Sequence, residues 1–378
     1  MSKGFKDGHF QIGEGSISGT IACMLAILSF LGVLAFHFPE YLTTPELRQS
    51  YNVDVIRSLI FVALVVSGSL GLLNFIRNKN KRFGFVAWVF VSLAIAFGGH
   101  QVEVEPFANH KVSLGLDWFI LDLLGSTLIF IFIEKWLPHK SEQAILRPEW
   151  QGDLNHFLVN HLAIGFVLLV ANQFVQSSFS WAISSTVQSF IAGLPFVLQL
   201  LLILLVADLM QYAAHRAYHE IPFLWRFHSV HHSAKHLDWL AGSRQHMFEL
   251  IATRCLVLTP IFILGFSKDI ISIYVIIVGV QAVFNHANVQ VNFGWLRYLI
   301  VSPQFHHWHH ASDKAAIDRN YAAHFSFLDY LFGTAVRGQK EWPEQYGVVG
   351  DYMPVGMFKQ QLYPLGLAKK DTKKQRCI

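Results

Sequence analysis

The chain has 378 residues, of which 53% are hydrophobic and only 14% are charged, and its mean hydropathy is +0.39. This composition excludes an ordinary soluble globular domain and is typical of a protein that crosses a membrane several times. The formal net charge of +4 requires no nucleic-acid partner, and the three cysteines provide neither a disulfide framework nor a cysteine-rich zinc site.

Eight apolar stretches are candidates to cross about 30 Å of hydrocarbon, so we predict an all-α, polytopic helical bundle in the membrane. The first four stretches lie within residues 1–140, which we predict to be an N-terminal membrane region of four helices. The last two are joined by only four residues, and their alternative is a hairpin that dips into the membrane. The stretches cover residues 17–37, 55–76, 83–98, 116–133, 157–175, 194–212, 251–265 and 270–284.

The basic residues favour one orientation, because cytoplasmic loops of membrane proteins are rich in Lys and Arg. With a cytoplasmic N-terminus and eight crossings, the basic residues of 77–82 and 135–147 lie inside. So does the tail, residues 341–378, with its basic run from Lys369. We therefore predict that the histidine-rich region described next faces the cytoplasm. The basic residues at or near the outer side are Arg48, Arg57, Lys111 and Lys268.

Thirteen of the twenty histidines fall between His215 and His324, and eight of them form three clusters. Residues three or four apart share one face of a helix, so each cluster can aim two or three imidazoles at one point. One iron, zinc or copper ion takes roughly four to six ligands, so eight convergent imidazoles indicate two metal ions. The clusters are HxxxH at His215 and His219, HxxHH at His228, His231 and His232, and HxxHH at His306, His309 and His310.

A series of ordered motifs surrounds and includes these clusters. They are DLMQYAAHR at 208–216 followed by His219, WRFH at 225–228 followed by HHS at 231–233, RQH at 244–246 with Glu249, NHANV at 285–289, HHWHH at 306–310, NY at 320–321 and DYLFGT at 329–334. Between about residues 145 and 340 the chain resembles the fatty acid hydroxylase and sterol desaturase superfamily. We therefore predict a hydroxylase-like domain over residues 141–340.

The resemblance implies a membrane-bound oxygenase with two iron ions, which uses O2 and external electrons to hydroxylate or desaturate a lipid. Its metal domain would be helical and lie on the cytosolic face. The eight clustered histidines would be catalytic residues. The motif spacing is closer to the hydroxylase branch of the superfamily, so we favour hydroxylation.

The resemblance adds two metal ligands, His246 and His286, to the eight clustered histidines. The chain departs from the superfamily near both of them. Where many members have a fourth HxxxH pair, this chain has His286 and Gln290, so an amide or a water molecule would replace one ligand. His246 is followed by Met247, where the superfamily usually has proline.

Three further histidines are predicted not to be ligands. His307 points about 100° away from its neighbours on a helix, and His236 and His324 lie outside the matched positions. They are expected to support the site or to lie at the surface.

Two acidic residues are candidates to orient metal-bound imidazoles, a role that carboxylates often have. Asp208 lies seven residues before His215, and Glu249 lies near His246; ion pairs with arginines are the alternative for both. Two further acidic residues, Asp318 and Asp329, match the superfamily, but helix capping or the fixing of a loop explains them as well as a role in catalysis does.

The predicted partners follow from what the chain contains. It has no glycine pattern for nucleotide phosphates, so electrons would come from a separate ferredoxin, cytochrome b5-like protein or reductase. The lipid substrate would come from the bilayer. The alternatives are a membrane zinc hydrolase and a non-catalytic membrane protein that binds or transports metal, although a transporter requires ionisable ligands at the membrane midplane.

Overall fold

The computed structural model describes most of the chain, and in the described ranges every regular element is helical apart from two isolated β-bridges. The prediction of an all-α fold is therefore confirmed. Lys111 and the basic run from Lys369, used above to predict the orientation, lie outside the described residues. The described ranges are 12–44, 48, 52–104, 115–337, 341–350 and 352–368.

The described residues form two compact units, and the division between Leu124 and Gly125 falls within a helix. The helices are α1 (Gly15–His37), α2 (Val53–Arg77), α3 (Arg82–Ala96), α4 (Leu116–Trp136), α5 (Trp150–Leu162), α6 (Ile164–Phe179), α7 (Ser185–Ala192), α8 (Phe196–Glu220), α9 (Pro222–His228), α10 (Met247–Leu264), α11 (Lys268–His286), α12 (Pro303–His309), α13 (Phe327–Phe332) and α14 (Met357–Leu362). Single helical turns cover Pro39–Leu42, Gly99–Gln101, Ser180–Ala182, His231–Ser233, Ala241–Ser243 and Gly294–Tyr298.

Seven of the described helices are long and apolar enough to cross a membrane, and one bent pair raises the number to as many as eight. The seven helices correspond to seven of the eight predicted stretches and indicate a multi-pass membrane protein. The eighth stretch, 157–175, falls on the bent pair α5 and α6, whose axes differ by 49° at the break. Asp153, His156 and Asn160 on α5 are buried, so these three polar side chains are removed from the surface of the protein.

In the first unit, α1, α2 and α3 pack against one another through small residues. Ala22 on α1 and Ala87 on α3 are fully buried. A Cβ atom on Gly84 of α3 would lie 2.6 Å from the carbonyl oxygen of Gly71 on α2. The absence of a side chain at Gly84 therefore permits these two backbones to approach closely, as is common between membrane helices.

In the second unit, α8, α10 and α11 share an apolar core. Its buried members include Ile203 and Ala207 on α8, Val257 on α10, and Ile270 and Tyr274 on α11. Between membrane spans such packing stabilises the fold through van der Waals contact, because lipid tails are as apolar as these side chains. The packing fixes the C-terminal ends of α8 and α11, which carry histidines of the predicted clusters.

Candidate metal centre

Nine histidines converge into two groups, and within each group one ring nitrogen per residue lies within 4.8 Å of the others. All nine were predicted as ligands: eight from their spacing and His286 from the resemblance. The five-histidine group consists of His215, His219, His228, His232 and His309. The four-histidine group consists of His231, His286, His306 and His310.

The two HxxHH clusters are each divided between the groups. His306 and His310 lie one helical turn apart and belong to the four-histidine group, whereas His309 is rotated by about 100° from His310 and faces the other group. Helix α12 therefore lies between the two groups. The groups adjoin, because the ring centroids of His232 and His310 are 4.4 Å apart.

The Nε2 atoms face one another within each group. In the five-histidine group, Nε2 of His228 lies 3.1 Å from Nε2 of His215 and 3.1 Å from Nε2 of His232. In the four-histidine group, Nε2 of His286 lies 3.2 Å from that of His231 and 3.0 Å from that of His306. Since metal–imidazole bonds are about 2.0–2.1 Å long, several of these nitrogens can bind one ion together.

Backbone carbonyl oxygens determine which ring nitrogen carries the hydrogen. A carbonyl oxygen can only accept a hydrogen bond, so the Nδ1 atom facing it must donate and Nε2 keeps its lone pair. Four of the nine histidines have this arrangement. The Nδ1 atoms of His215, His231, His286 and His309 donate to the carbonyl oxygens of Tyr321, Arg244, Ala282 and Arg319, over 2.6, 3.0, 2.7 and 2.8 Å.

This arrangement fits metal ions. His231 and His286 both donate through Nδ1, so two lone pairs face each other across 3.2 Å with no proton to share. Burial lowers the pKa of His231 well below its ordinary value, so this imidazole is neutral at pH 7. Nε2 of His309 is also buried without a hydrogen-bond partner. One cation in the four-histidine group would satisfy the nitrogens of His231 and His286, and a second in the five-histidine group would satisfy that of His309; neutral imidazoles suit iron, zinc and copper.

Two carboxylates orient further histidines of the five-histidine group. Nδ1 of His228 lies 2.8 Å from Oε1 of Glu249, and Nδ1 of His219 lies 3.2 Å from Oδ1 of Asp318. Glu249 is buried, whereas the Asp318 side chain is 51% exposed. The orienting role expected of Glu249 thus fits its position, with His228 as its partner, whereas the contact of Asp318 with His219 was not predicted.

Asp208 and Asp329 contact backbone instead of imidazoles. The Asp208 carboxylate accepts N–H groups from three consecutive residues, 323–325, at 2.7–3.1 Å. The Asp329 carboxylate accepts the N–H groups of Tyr321 and Ala322, both at 2.8 Å. Asp208 was expected to orient an imidazole or to pair with an arginine, but its carboxylate binds backbone N–H groups instead. Both acids fix the loop whose Tyr321 carbonyl orients His215.

Residues 318–321 supply acceptors to three of the five histidines in the five-histidine group. The acceptors are the Asp318 carboxylate and the carbonyl oxygens of Arg319 and Tyr321. Asp318 and Asn320 have φ angles of 56° and 58°, in the left-handed region where Asp and Asn are better tolerated than other non-glycine residues. This backbone conformation aims the acceptors at the histidines.

His246 and Gln290 lie apart from both groups. Nε2 of His246 lies 2.8 Å from the carbonyl oxygen of Gln361, and Nδ1 accepts the N–H of Phe248 at the start of α10. Its two ring nitrogens are thus occupied, and we leave His246 out of the proposed ligand set. Gln290 is exposed, because α11 ends at His286 and position 290 is not on a following helical turn.

The histidines predicted not to be ligands also have other partners. Nδ1 of His307 lies 2.9 Å from the Tyr346 hydroxyl, and its Nε2 donates to the carbonyl oxygens of His286 and Ala287. Nδ1 of His324 lies 2.9 Å from Oε1 of Gln281. His236 is in neither group. His307 instead supports the segment that follows His286.

A buried ion network beside the site was not predicted. Burial alone would lower the pKa of Arg147, but Asp238 and Asp153 raise it above its ordinary value. Arg147 lies 2.8 Å from Asp238 and 2.6 Å from Asp153. Arg244 contacts Asp153 and donates to Ser233 at 3.1 Å, while its carbonyl orients His231. The network therefore fixes the turn that carries His231 and His232.

Glu134, near the end of α4, is a second residue that sequence reasoning missed. Its Oε1 atom accepts the N–H groups of Trp239 and Asn288 at 2.7 and 2.9 Å. Asn288 follows His286 by two residues, so Glu134 joins α4 to the end of α11. The only signal in the sequence was an acidic residue at the end of an apolar stretch.

Comparison with known proteins gives one family match. Residues 200–334 match a family model described as fatty acid hydroxylase. This range contains all nine convergent histidines. No solved structure matches the chain.

Several curated proteins are also similar. Ornithine lipid hydroxylase OlsE of Rhizobium tropici is 26% identical over 248 residues, which cover 64% of this chain and 73% of the relative. Alkylglycerol monooxygenase of Caenorhabditis elegans is 27% identical over 145 residues, covering 38% of this chain and 28% of the relative. Fatty acid hydroxylase vlmA of Lecanicillium sp is 30% identical over 147 residues, covering 34% and 40%. The chain thus spans less than half the length of the last two relatives.

Proposed function

Because residues 200–334 of this chain belong to the fatty acid hydroxylase superfamily, we propose that the protein is a membrane-bound di-iron oxygenase that hydroxylates a lipid C–H bond. The relatives reported above are lipid hydroxylases and monooxygenases, which are oxidoreductases. The single observation that carries the di-metal part of the proposal is the convergence of nine histidines into two adjoining groups.

The nine convergent histidines would hold the two ions, five at one and four at the other. Iron bound there would supply the electron transfer to O2 that oxidation of an unactivated C–H bond requires. One oxygen atom would enter the lipid C–H bond as a hydroxyl group and the other would leave as water, so two external electrons and two protons would be consumed. The proposed donor is a separate ferredoxin, cytochrome b5-like protein or reductase.

The protein's own groups would prepare the ligands and limit side reactions. Carbonyl oxygens and the carboxylates of Glu249 and Asp318 would keep Nδ1 protonated in six of the nine histidines and fix those rings, which leaves Nε2 free to bind metal. Eight of the nine histidines are buried, so water is excluded from most of the ligand sphere. The one half-buried ligand, His219, lies next to the exposed Asp318.

The orientation is part of the proposal. Helix α8 carries His215 and His219 in its last two turns, and α11 ends at His286. We propose that these ends of the two spans lie at the cytoplasmic side, where cytosolic electron donors have access.

Metal analysis and product analysis together test the function. Protein purified without O2 should contain about two irons per chain, as expected for two nitrogen-rich sites. With a reductant, O2 and a lipid extract, a product heavier by about 16 mass units should appear, as for the addition of one oxygen atom. One tightly bound zinc with no consumption of O2 would instead support a zinc hydrolase and reject the oxygenase. A product lighter by about 2 mass units would identify a desaturase.

A further inference from the structure

Residues 291–300 form an exposed apolar segment between two buried parts of the metal centre. Residues 285–289, which include His286, are buried, and so are residues 301–303, which precede His306. Nine of the ten residues 291–300 are exposed. The segment reads VNFGWLRYLI, with Arg297 as its one charged residue. A water-exposed loop is normally polar, so this composition indicates a contact with something apolar.

Helix α13 extends the same surface. Its Leu331 is 71% exposed, and Trp295 in the loop segment is 70% exposed. The Ser326 hydroxyl donates to the carbonyl oxygen of Arg297 at 2.8 Å, and the Tyr298 and Tyr330 rings are 5.5 Å apart. Residues 291–300 together with Leu331 and Phe332 are called the apolar shelf below.

We propose that the apolar shelf is a membrane-contact surface that lies in the interfacial zone of the lipid bilayer. Trp and Tyr are enriched at this depth because their rings are apolar and their N–H and O–H groups are polar. Arg297 can extend its guanidinium towards lipid phosphates while its stem stays in apolar surroundings. An amphipathic element with this composition binds a membrane surface without crossing it.

The shelf is continuous with two candidate membrane spans, and this continuity favours lipid as its occupant. Helix α11 ends at His286, only five residues before Val291. The Phe332 ring stacks on Tyr212 of α8 with centroids 5.0 Å apart. The shelf is therefore held beside the ends of the same two spans that carry His215, His219 and His286.

If the proposed function is correct, the shelf also determines where the substrate enters. It connects the chain segments that carry His286 and His306, so the four-histidine group lies at the level of the bilayer surface. A lipid would then reach the metal centre from the adjoining leaflet without passing through water. This consequence rests on the proposed function, whereas the membrane contact itself does not.

Collision measurements on nitroxide labels test the contact. The full-length chain, with its native cysteines replaced by alanine, carries one label through Trp295→Cys or Leu331→Cys. It is reconstituted in nanodiscs of phosphatidylcholine and phosphatidylglycerol. Val275→Cys, on the exposed face of α11, is the reference in hydrocarbon. Lys314→Cys, in an exposed loop, is the reference in water.

The ratio of collisions with O2 to collisions with a water-soluble nickel chelate should be several-fold higher at positions 295 and 331 than at 314. It should lie between the values at 314 and 275, as expected for the interfacial zone. A ratio equal to that at 314 would overturn the proposal. Loss of collisions with both reagents would also overturn it, because a protein partner or a second copy would then cover the shelf. The measurement requires neither metal nor turnover, so failure of the proposed function leaves its outcome unchanged.

Discussion

At the scale of single residues, spacing predicted the histidines but not the groups that orient them. HxxxH and HxxHH are visible in the sequence because a helix repeats every 3.6 residues. The acceptors of the Nδ1 atoms are mostly backbone carbonyls, such as those of Tyr321 and Arg244. Every residue has a carbonyl group, so no residue type marks an acceptor of this kind. Glu249 was visible as an acidic residue, but its histidine partner was not.

Removal of a convergent histidine should have a different effect from removal of a neighbouring one. We expect His231→Ala or His309→Ala to abolish activity and lower the metal content, because a neutral nitrogen donor leaves its group. His307→Ala and His324→Ala should keep both metals and most of the activity, since their rings bond to protein groups. Membrane insertion should be normal in all four. Full turnover by either of the first two variants would contradict the ligand assignment.

Glu249 should affect metal binding through His228. Glu249→Ala leaves Nδ1 of His228 without an acceptor, and loss of such a partner typically lowers metal affinity by about 10- to 100-fold. Glu249→Gln keeps an acceptor oxygen and should lower the affinity less. Titration with Co(II), followed by its absorption spectrum, measures this difference. Glu142→Gln, a change at an exposed carboxylate, is the control and should bind like the unaltered protein.

At the scale of elements, the apolar stretches were predicted well and the short helices were not. Seven predicted stretches correspond to seven helices because a span of this length has a strong hydropathy signal. The end of α11 at His286 was not apparent, so Gln290 was considered as a ligand although it lies beyond the helix. The division of each HxxHH cluster between two groups depends on helix ends and turns. Helix ends are the features that sequence patterns define least well.

Close packing of α2 and α3 should make Gly84 intolerant of a side chain. In Gly84→Ala, the new Cβ would meet the Gly71 carbonyl at 2.6 Å, and such overpacking typically costs about 1–3 kcal/mol. Gly68→Ala is the matched control, because its Cβ would only reach Val91 at 4.0 Å. Thermal unfolding in detergent should show a lower midpoint for Gly84→Ala alone. Equal unfolding midpoints for the two variants would contradict the prediction, because α2 and α3 would then accommodate the added Cβ without a loss of stability.

At the scale of the whole molecule, composition predicted the membrane and the motifs predicted the superfamily, and both predictions are confirmed. The domain limits near residues 140 and 340 and the cytoplasmic orientation stay predictions. The buried ion network could not be predicted from the sequence, because Arg147 and Asp238 are 91 positions apart. Nothing in a single sequence pairs two charges over that distance. The carboxylate of Glu134 binds backbone groups and was equally hidden.

Metal removal should destabilise the protein as a whole. The nine histidines come from several helices and turns of the second unit, so ions bound there would hold these elements together. A ligand at 100 times its dissociation constant stabilises the folded state by about 2.7 kcal/mol. Treatment with a chelator should therefore lower the unfolding midpoint, and added Fe(II) should restore it. The chelator should lower the unfolding midpoint of Gly68→Ala as much as that of the unaltered protein. It should lower the midpoint of His231→Ala less.

The dispersal of the donors along the chain has a consequence for biosynthesis. Each group takes nitrogen donors from both ends of the histidine-rich region, and His215 requires the carbonyl of Tyr321. A ribosome must therefore have completed nearly the entire second unit before either group exists. Capture of the proposed metal ions could only follow insertion of the preceding helices, so these cations would complete maturation and take no part in early assembly.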